Sequence, residues 1–138
     1  SGRRNYQSLV VSLNLANALL QSGDVAQARA LVTRYLEFSR TVPWDGFNAS
    51  VPVFALLATA EGRCRGAARL LGYAQRFVRS ARLPHEPNEA RAYEIAIARV
   101  RAALGARQCR SQMSQGERMD QDAVSALALQ TRDIDPPA

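Results

Sequence analysis

Residues 23–40 read GDVAQARALVTRYLEFSR, and residues 62–79 read GRCRGAARLLGYAQRFVR. Laid on each other, Gly23 meets Gly62, Ala28 meets Ala67, Leu31 meets Leu70, Phe38 meets Phe77 and Arg40 meets Arg79. Val32 over Leu71 keeps an apolar site. The offset is 39 residues. An internal period of this size marks stacked supersecondary units. A glycine turns the chain between two helices, and a small residue lets the second approach the first. Larger apolar residues one turn further on fill the space between them.

The pattern extends outward from these stretches at helical spacing. Leu9, Leu13, Ala16 and Leu20 recur at four, three and four, which gives a first helix over 4–21. Ser22-Gly23-Asp24 breaks it, and Asp24 is placed to cap a second helix over 25–40. So short a link makes the two a helical hairpin. Thr41 to Ser50 reads as a loop with Pro43, Asp45-Gly46 and Asn48, and Ser50 as the next N-cap. The third helix, over 51–61, is VPVFALLATAE, apolar nearly all round and so packed on several sides. Gly62 ends it.

The fourth helix, over 65–82, turns Ala67, Leu70, Leu71, Ala74 and Phe77 to one face. Leu83 to Pro87 is a break. The fifth, over 88–104, aligns Tyr93, Ile97, Val100 and Leu104, and Gly105 closes it. A short polar helix over 107–115 turns Cys109 and Met113 inward. Asp120 caps a last one carrying Ala123, Val124, Leu127 and Ala128. No segment shows strand alternation. The expectation is one all-α domain over 1–132, of about seven helices. It comprises repeat one over 4–40, repeat two over 51–82, and a degenerate pair with a capping helix over 88–131. Residues 133–138 form a frayed tail.

Those residues resemble the tetratricopeptide repeat. Gly23, Ala28, Val32 and Tyr35, then Gly62, Ala67, Leu71 and Ala74, stand where that family places its small turn residue, its alanine and its bulky positions. Ser12 and Leu19 replace the family's first-helix Trp and Tyr, and the spacing exceeds 34 because the 41–50 loop is long. The resemblance implies a TPR-like right-handed stack of antiparallel helix pairs. The order of helices over 67–129 is also similar to the C-terminal part of large bacterial LuxR-type and STAND ATPase transcription regulators and cyclase-like proteins. That implies a non-catalytic protein-interaction and regulatory module of a larger cytoplasmic bacterial protein.

Composition agrees with a folded globule. The 138 residues are 47% apolar and 22% charged. No run is long enough to span a membrane. Ser1-Gly2 with no initiator Met reads as the start of a segment taken from a larger chain. All 18 basic residues are arginine, and the net charge is +6. A basic domain meets acidic protein surfaces or nucleic acid.

Site chemistry is sparse. The single histidine, His85, lies between prolines, and Cys64 and Cys109 are far apart and read as packing thiols. No phosphate loop, metal-ligand spacing or nucleophile–base set occurs, so no cofactor is expected. Three features stand out. Arg65, Arg69, Arg76 and Arg79 share one face of the fourth helix, as a solvated face, a contact for an acidic partner or a neighbouring domain, or a contact for nucleic acid. Trp44 and Phe47, in the 41–50 loop, either cover the core or contact a partner. By the repeat register Val10, Leu13, Asn17 and Gln21 line a groove, where Asn17 either hydrogen-bonds a bound peptide or is merely solvated. The first helix, at the raw end of the stack, is a surface for self-association. The alternative reading is a basic helical domain that contacts nucleic acid; it ranks below protein or peptide because Phe77 points to the core side.

Overall fold

The computed structural model describes residues 2–41, 46–81 and 87–133. Among these the chain is all-helical: α1 (Gly2–Ser22), α2 (Val25–Ser39), α3 (Phe47–Ala60), α4 (Cys64–Ala81), α5 (Pro87–Gly116) and α6 (Gln121–Leu129). Helix α1 packs on α2 and α3 on α4, while α5 lies against both α3 and α4. Helix α6 crosses back to α4 and α3.

The repeated glycines do the same work twice. Gly23 has φ 92° and Gly62 φ 78°. The amides of Gly23 and Asp24 return to the carbonyls of Leu20 and Leu19, and those of Gly62 and Arg63 to Thr59 and Ala58. Both are Schellman endings, which need a left-handed residue that glycine adopts without penalty. Ala28 and Ala67 are fully buried where each second helix approaches the first.

The next residue is where the repeats differ. Asp24 caps α2, its Oδ1 accepting from the Gln27 amide at 3.3 Å. The equivalent position holds Arg63, which cannot accept. The start of α4 is instead capped from far along the chain. Asp133 accepts from the amides of Arg65 at 2.9 Å and Gly66 at 2.8 Å, and its carboxylate also meets the Arg65 guanidinium. A carboxylate at the positive end of a helix is favourable for the reason any N-cap is. Asp133, expected in a frayed tail, thus ties residue 133 to α4.

Helix α3 starts earlier than the sequence suggests. Its N-cap is Gly46, and Ser50 lies inside the helix. The Ser50 hydroxyl donates to the Gly46 carbonyl at 2.8 Å and pairs with the Tyr35 hydroxyl at 2.7 Å. Those bonds occupy the side chain that would otherwise cap. Residues 51–58 are all buried, as an all-round apolar helix requires. Phe54 sits between Tyr35 and Phe47, with ring centroids 5.8 Å away on each side.

Helix α5 consists of two helical runs joined at Gly105, whose φ 81° and ψ 165° are not helical. The second run lies antiparallel on α4. Gly72 faces Met113 and Gly116 faces Arg69, so close that a Cβ at either glycine would fall on the opposite backbone. Small residues let the two helix backbones meet there.

Candidate functional site

Helix α1 carries a polar stripe beside its buried face. Leu13, Ala16 and Leu20 are buried and fix the rotation of α1. Asn14, Asn17 and Gln21, spaced by three and four, then fall beside the start of α5. Three hydrogen bonds link the stripe to it, and a fourth ties the stripe along α1. Asn17 Nδ2 donates to the Asn88 carbonyl at 3.2 Å, and Asn88 Nδ2 donates to Asn14 Oδ1 at 3.3 Å. Gln21 Nε2 donates to Asn17 Oδ1, and Arg91 Nε donates to Gln21 Oε1, each at 3.2 Å. Asn14, Asn17, Gln21 and Asn88 line a cleft of about 490 Å³ together with Ala18 and Ser22.

A carboxamide carries two N–H donors and an oxygen with two lone pairs, more than these bonds use. The exposed members of the row therefore keep spare donors and acceptors. Asn17 is 3% exposed and anchors the row, while Asn14, Gln21 and Asn88 face solvent. Asn17 is thus not the solvated residue that one reading allowed. Of the other expected groove residues, Leu13 is in the core and Val10 is 45% exposed. Asn14, Asn88 and Arg91 were not singled out from the sequence. Asn14 shares the helical spacing of Asn17 and Gln21 and could have been. Asn88 and Arg91 join only through the packing of α5.

The arginine face of α4 is not a solvated face. Arg69 is 3% exposed, and its Nη1 donates to Gln112 Oε1 at 3.1 Å, because the second run of α5 covers it. Arg65 is held by Asp133, through an ion pair and a bond from Nη2 to the Asp133 carbonyl at 2.7 Å. Arg76 donates to the Glu117 carbonyl at 2.7 Å and lies over the rings of Tyr73 and Phe77. All three bind their own chain, Arg69 buried and Arg65 and Arg76 half-buried. Arg79 belongs to α4, and its side chain lies outside the described residues.

Phe47 is 6% exposed and packs on Phe54, so it covers the core rather than waiting for a partner. Trp44 and His85 lie outside the described residues. Cys109 is buried and Cys64 half-buried. Burial pushes the Cys64 thiol above its ordinary value; the Asp133 carboxylate adds to the rise, and Arg99 pulls the other way. Among the described residues no three metal-ligating side chains come together. No helix there is long and apolar enough to cross a membrane.

Comparison with protein-family models, with curated proteins and with solved structures finds no match for this chain.

Proposed function

We propose that this chain is a non-catalytic, TPR-like protein-interaction and regulatory module, built as a stack of helix pairs within a larger bacterial signalling or transcription-regulatory protein. The observation that carries the reading is the carboxamide row between α1 and α5. It is a strip of spare donors and acceptors on rigid helices, suited to the main chain of an extended peptide. The repeated Schellman turns and paired helices support the stack. Arg65, Arg69 and Arg76, three of the four arginines that motivated the nucleic-acid reading, are engaged within the chain.

Selection from a displayed library of linear peptides tests this. Enriched peptides should bind the wild type, protect the amides of α1 and the start of α5 from hydrogen exchange, and lose affinity when Asn14 and Gln21 are both replaced by alanine. Failure to enrich any peptide, or a footprint away from α1 and α5, refutes it.

Copies of the module would also meet through α1. Val10, Val11 and Leu15 are 45%, 63% and 49% exposed and form an apolar strip on its outer side. Light scattering at rising concentration should show association in the wild type and a monomer in Leu15→Glu. A wild type that stays monomeric throughout rules the strip out.

A further inference from the structure

Between Glu94 and Glu117 the chain has no carboxylate, yet it carries Arg99, Arg101, Arg107 and Arg110. All four are exposed. Among the described residues the ion pairs are Arg29–Glu61, Arg63–Glu61 and Arg65–Asp133, and none involves this group. Arg99 donates to the Thr59 hydroxyl at 3.3 Å, a neutral partner.

The break at Gly105 divides these arginines into two pairs. With φ 81° and ψ 165°, that residue ends the first run of α5 and starts the second. Arg99 and Arg101 stand at the end of one run, and Arg107 and Arg110 on the first turns of the other. Arg107 and Arg110, three apart on a helix, share a face. Around Gly105 the exposed side chains of Ala102, Ala103 and Ala106 are small. A second polypeptide can approach the backbone closely there, beside the shared face of Arg107 and Arg110.

We infer that this elbow of α5 is a docking surface for an acidic polypeptide segment, a helix with Asp or Glu along one side. The small alanines admit the helix, and the neighbouring guanidiniums take its carboxylates in the forked geometry that arginine favours. No aromatic side chain lies between Ile95 and Gly116 on which a base could stack. That favours a polypeptide over single-stranded nucleic acid. The elbow is at the far end of the first run of α5 from Asn88 and Arg91, so it does not depend on the carboxamide row.

Fluorescence anisotropy of the full chain with a labelled Glu/Ala-repeat peptide tests the inference, with labelled duplex DNA as the rival probe. Two double variants carry the same change in net charge: Arg107→Glu/Arg110→Glu at the elbow and Arg34→Glu/Arg40→Glu on α2. The elbow variant should weaken peptide binding about tenfold or more, and the α2 variant by no more than about twofold. A neutral Arg107→Gln/Arg110→Gln pair should fall between, and circular dichroism melts identify any variant that fails to fold. Equal loss in the elbow and α2 variants would show a response to net charge alone and overturn the site. So would a wild type that ignores the peptide. Duplex DNA bound more tightly than the peptide, and released by the elbow variant, overturns the acidic-polypeptide partner.

Discussion

Replacing Arg63 by methionine should cost this fold about 3 kcal/mol, near the low end for loss of one member of a buried ion pair. Arg63 is 1% exposed. Its Nη1 donates to the Leu127 carbonyl at 3.0 Å and its Nη2 to the Ala128 carbonyl at 3.3 Å. Nε and Nη2 both reach Glu61 Oε1, at 3.1 and 2.7 Å. The guanidinium thus closes the C-terminal end of α6 and ties it to the turn between α3 and α4. Carbonyls at a helix C-terminus have no partner within the helix and carry its negative dipole end, so a cation is well placed there.

Methionine keeps the aliphatic bulk and removes every donor. Two of the groups left behind retain some compensation: the Leu127 carbonyl still accepts from the Gln130 amide at 3.2 Å, and Glu61 keeps a second arginine. Glu61 keeps Arg29, 3.1 Å from its Oε2, and Arg29 still donates to the Leu129 and Gln130 carbonyls at 3.1 and 2.6 Å. That residual support places the cost at the low end of the range of about 3–5 kcal/mol. Urea unfolding of wild type and variant at one pH measures it, and hydrogen exchange should show the loss concentrated in α6. A loss under about 1 kcal/mol, no more than one ordinary hydrogen bond, would refute the claim that Arg63 holds α6 in place.

Two further outcomes follow from close packing and from burial. Gly116→Ala puts a Cβ onto the backbone of Arg69, which cannot move aside as a flexible side chain could, and should lower stability by about 2 kcal/mol or more in a thermal or urea melt. The Cys64 thiol, raised by burial first and by Asp133 second, should alkylate in the folded chain with a midpoint at higher pH than in the unfolded chain, and Asp133→Asn should bring that midpoint down, as mass spectrometry of the Cys64 peptide can follow. The sign for stability matches: the folded state holds the proton more tightly, so this contribution is complete below the unfolded thiol value and is lost as pH rises through the folded one.

The helices and their core faces are legible in the sequence because they rest on local rules. Gly23 and Gly62 mark the two Schellman turns, Asp24 and Asp120 cap as read, and the unbroken apolar run at 51–58 announces a helix buried all round. The start of α3 is misread because Ser50 has two possible uses. A serine before a proline looks like a cap, but here its hydroxyl bonds Tyr35 and the Gly46 carbonyl instead. The arginine face of α4 is legible as one side of a helix, while the sequence leaves its use open between solvent, an acidic partner or neighbouring domain, and nucleic acid. Periodicity shows that Arg65, Arg69 and Arg76 share a side, and it cannot show that α5 doubles back at Gly105 to cover that side. Of the carboxamide row, Asn17 and Gln21 are visible by register within α1, while Asn88 enters only through contact 71 positions away.

A chain with no lysine raises the question of whether its buried cations work by charge or by shape, and Arg63 can separate the two. Its acceptors lie in different directions: one Glu61 oxygen on the side of Nε and Nη2, and the carbonyls of successive residues Leu127 and Ala128 on the side of Nη1 and Nη2. A planar fork with five donors spans that set in one orientation. An ammonium is a single point with three donors and is more strongly hydrated, so a buried lysine here would reach Glu61 or the carbonyls but not both. Arg63→Lys should therefore recover only part of what Arg63→Met loses, despite keeping the charge. Hydrogen exchange in α6 should stay close to the methionine variant. Full recovery of stability by lysine would mean that charge alone closes this helix end. In that case the same shape argument would have to be withdrawn for Arg29, which meets Glu61 through Nε and two successive carbonyls of the same helix end through Nη2.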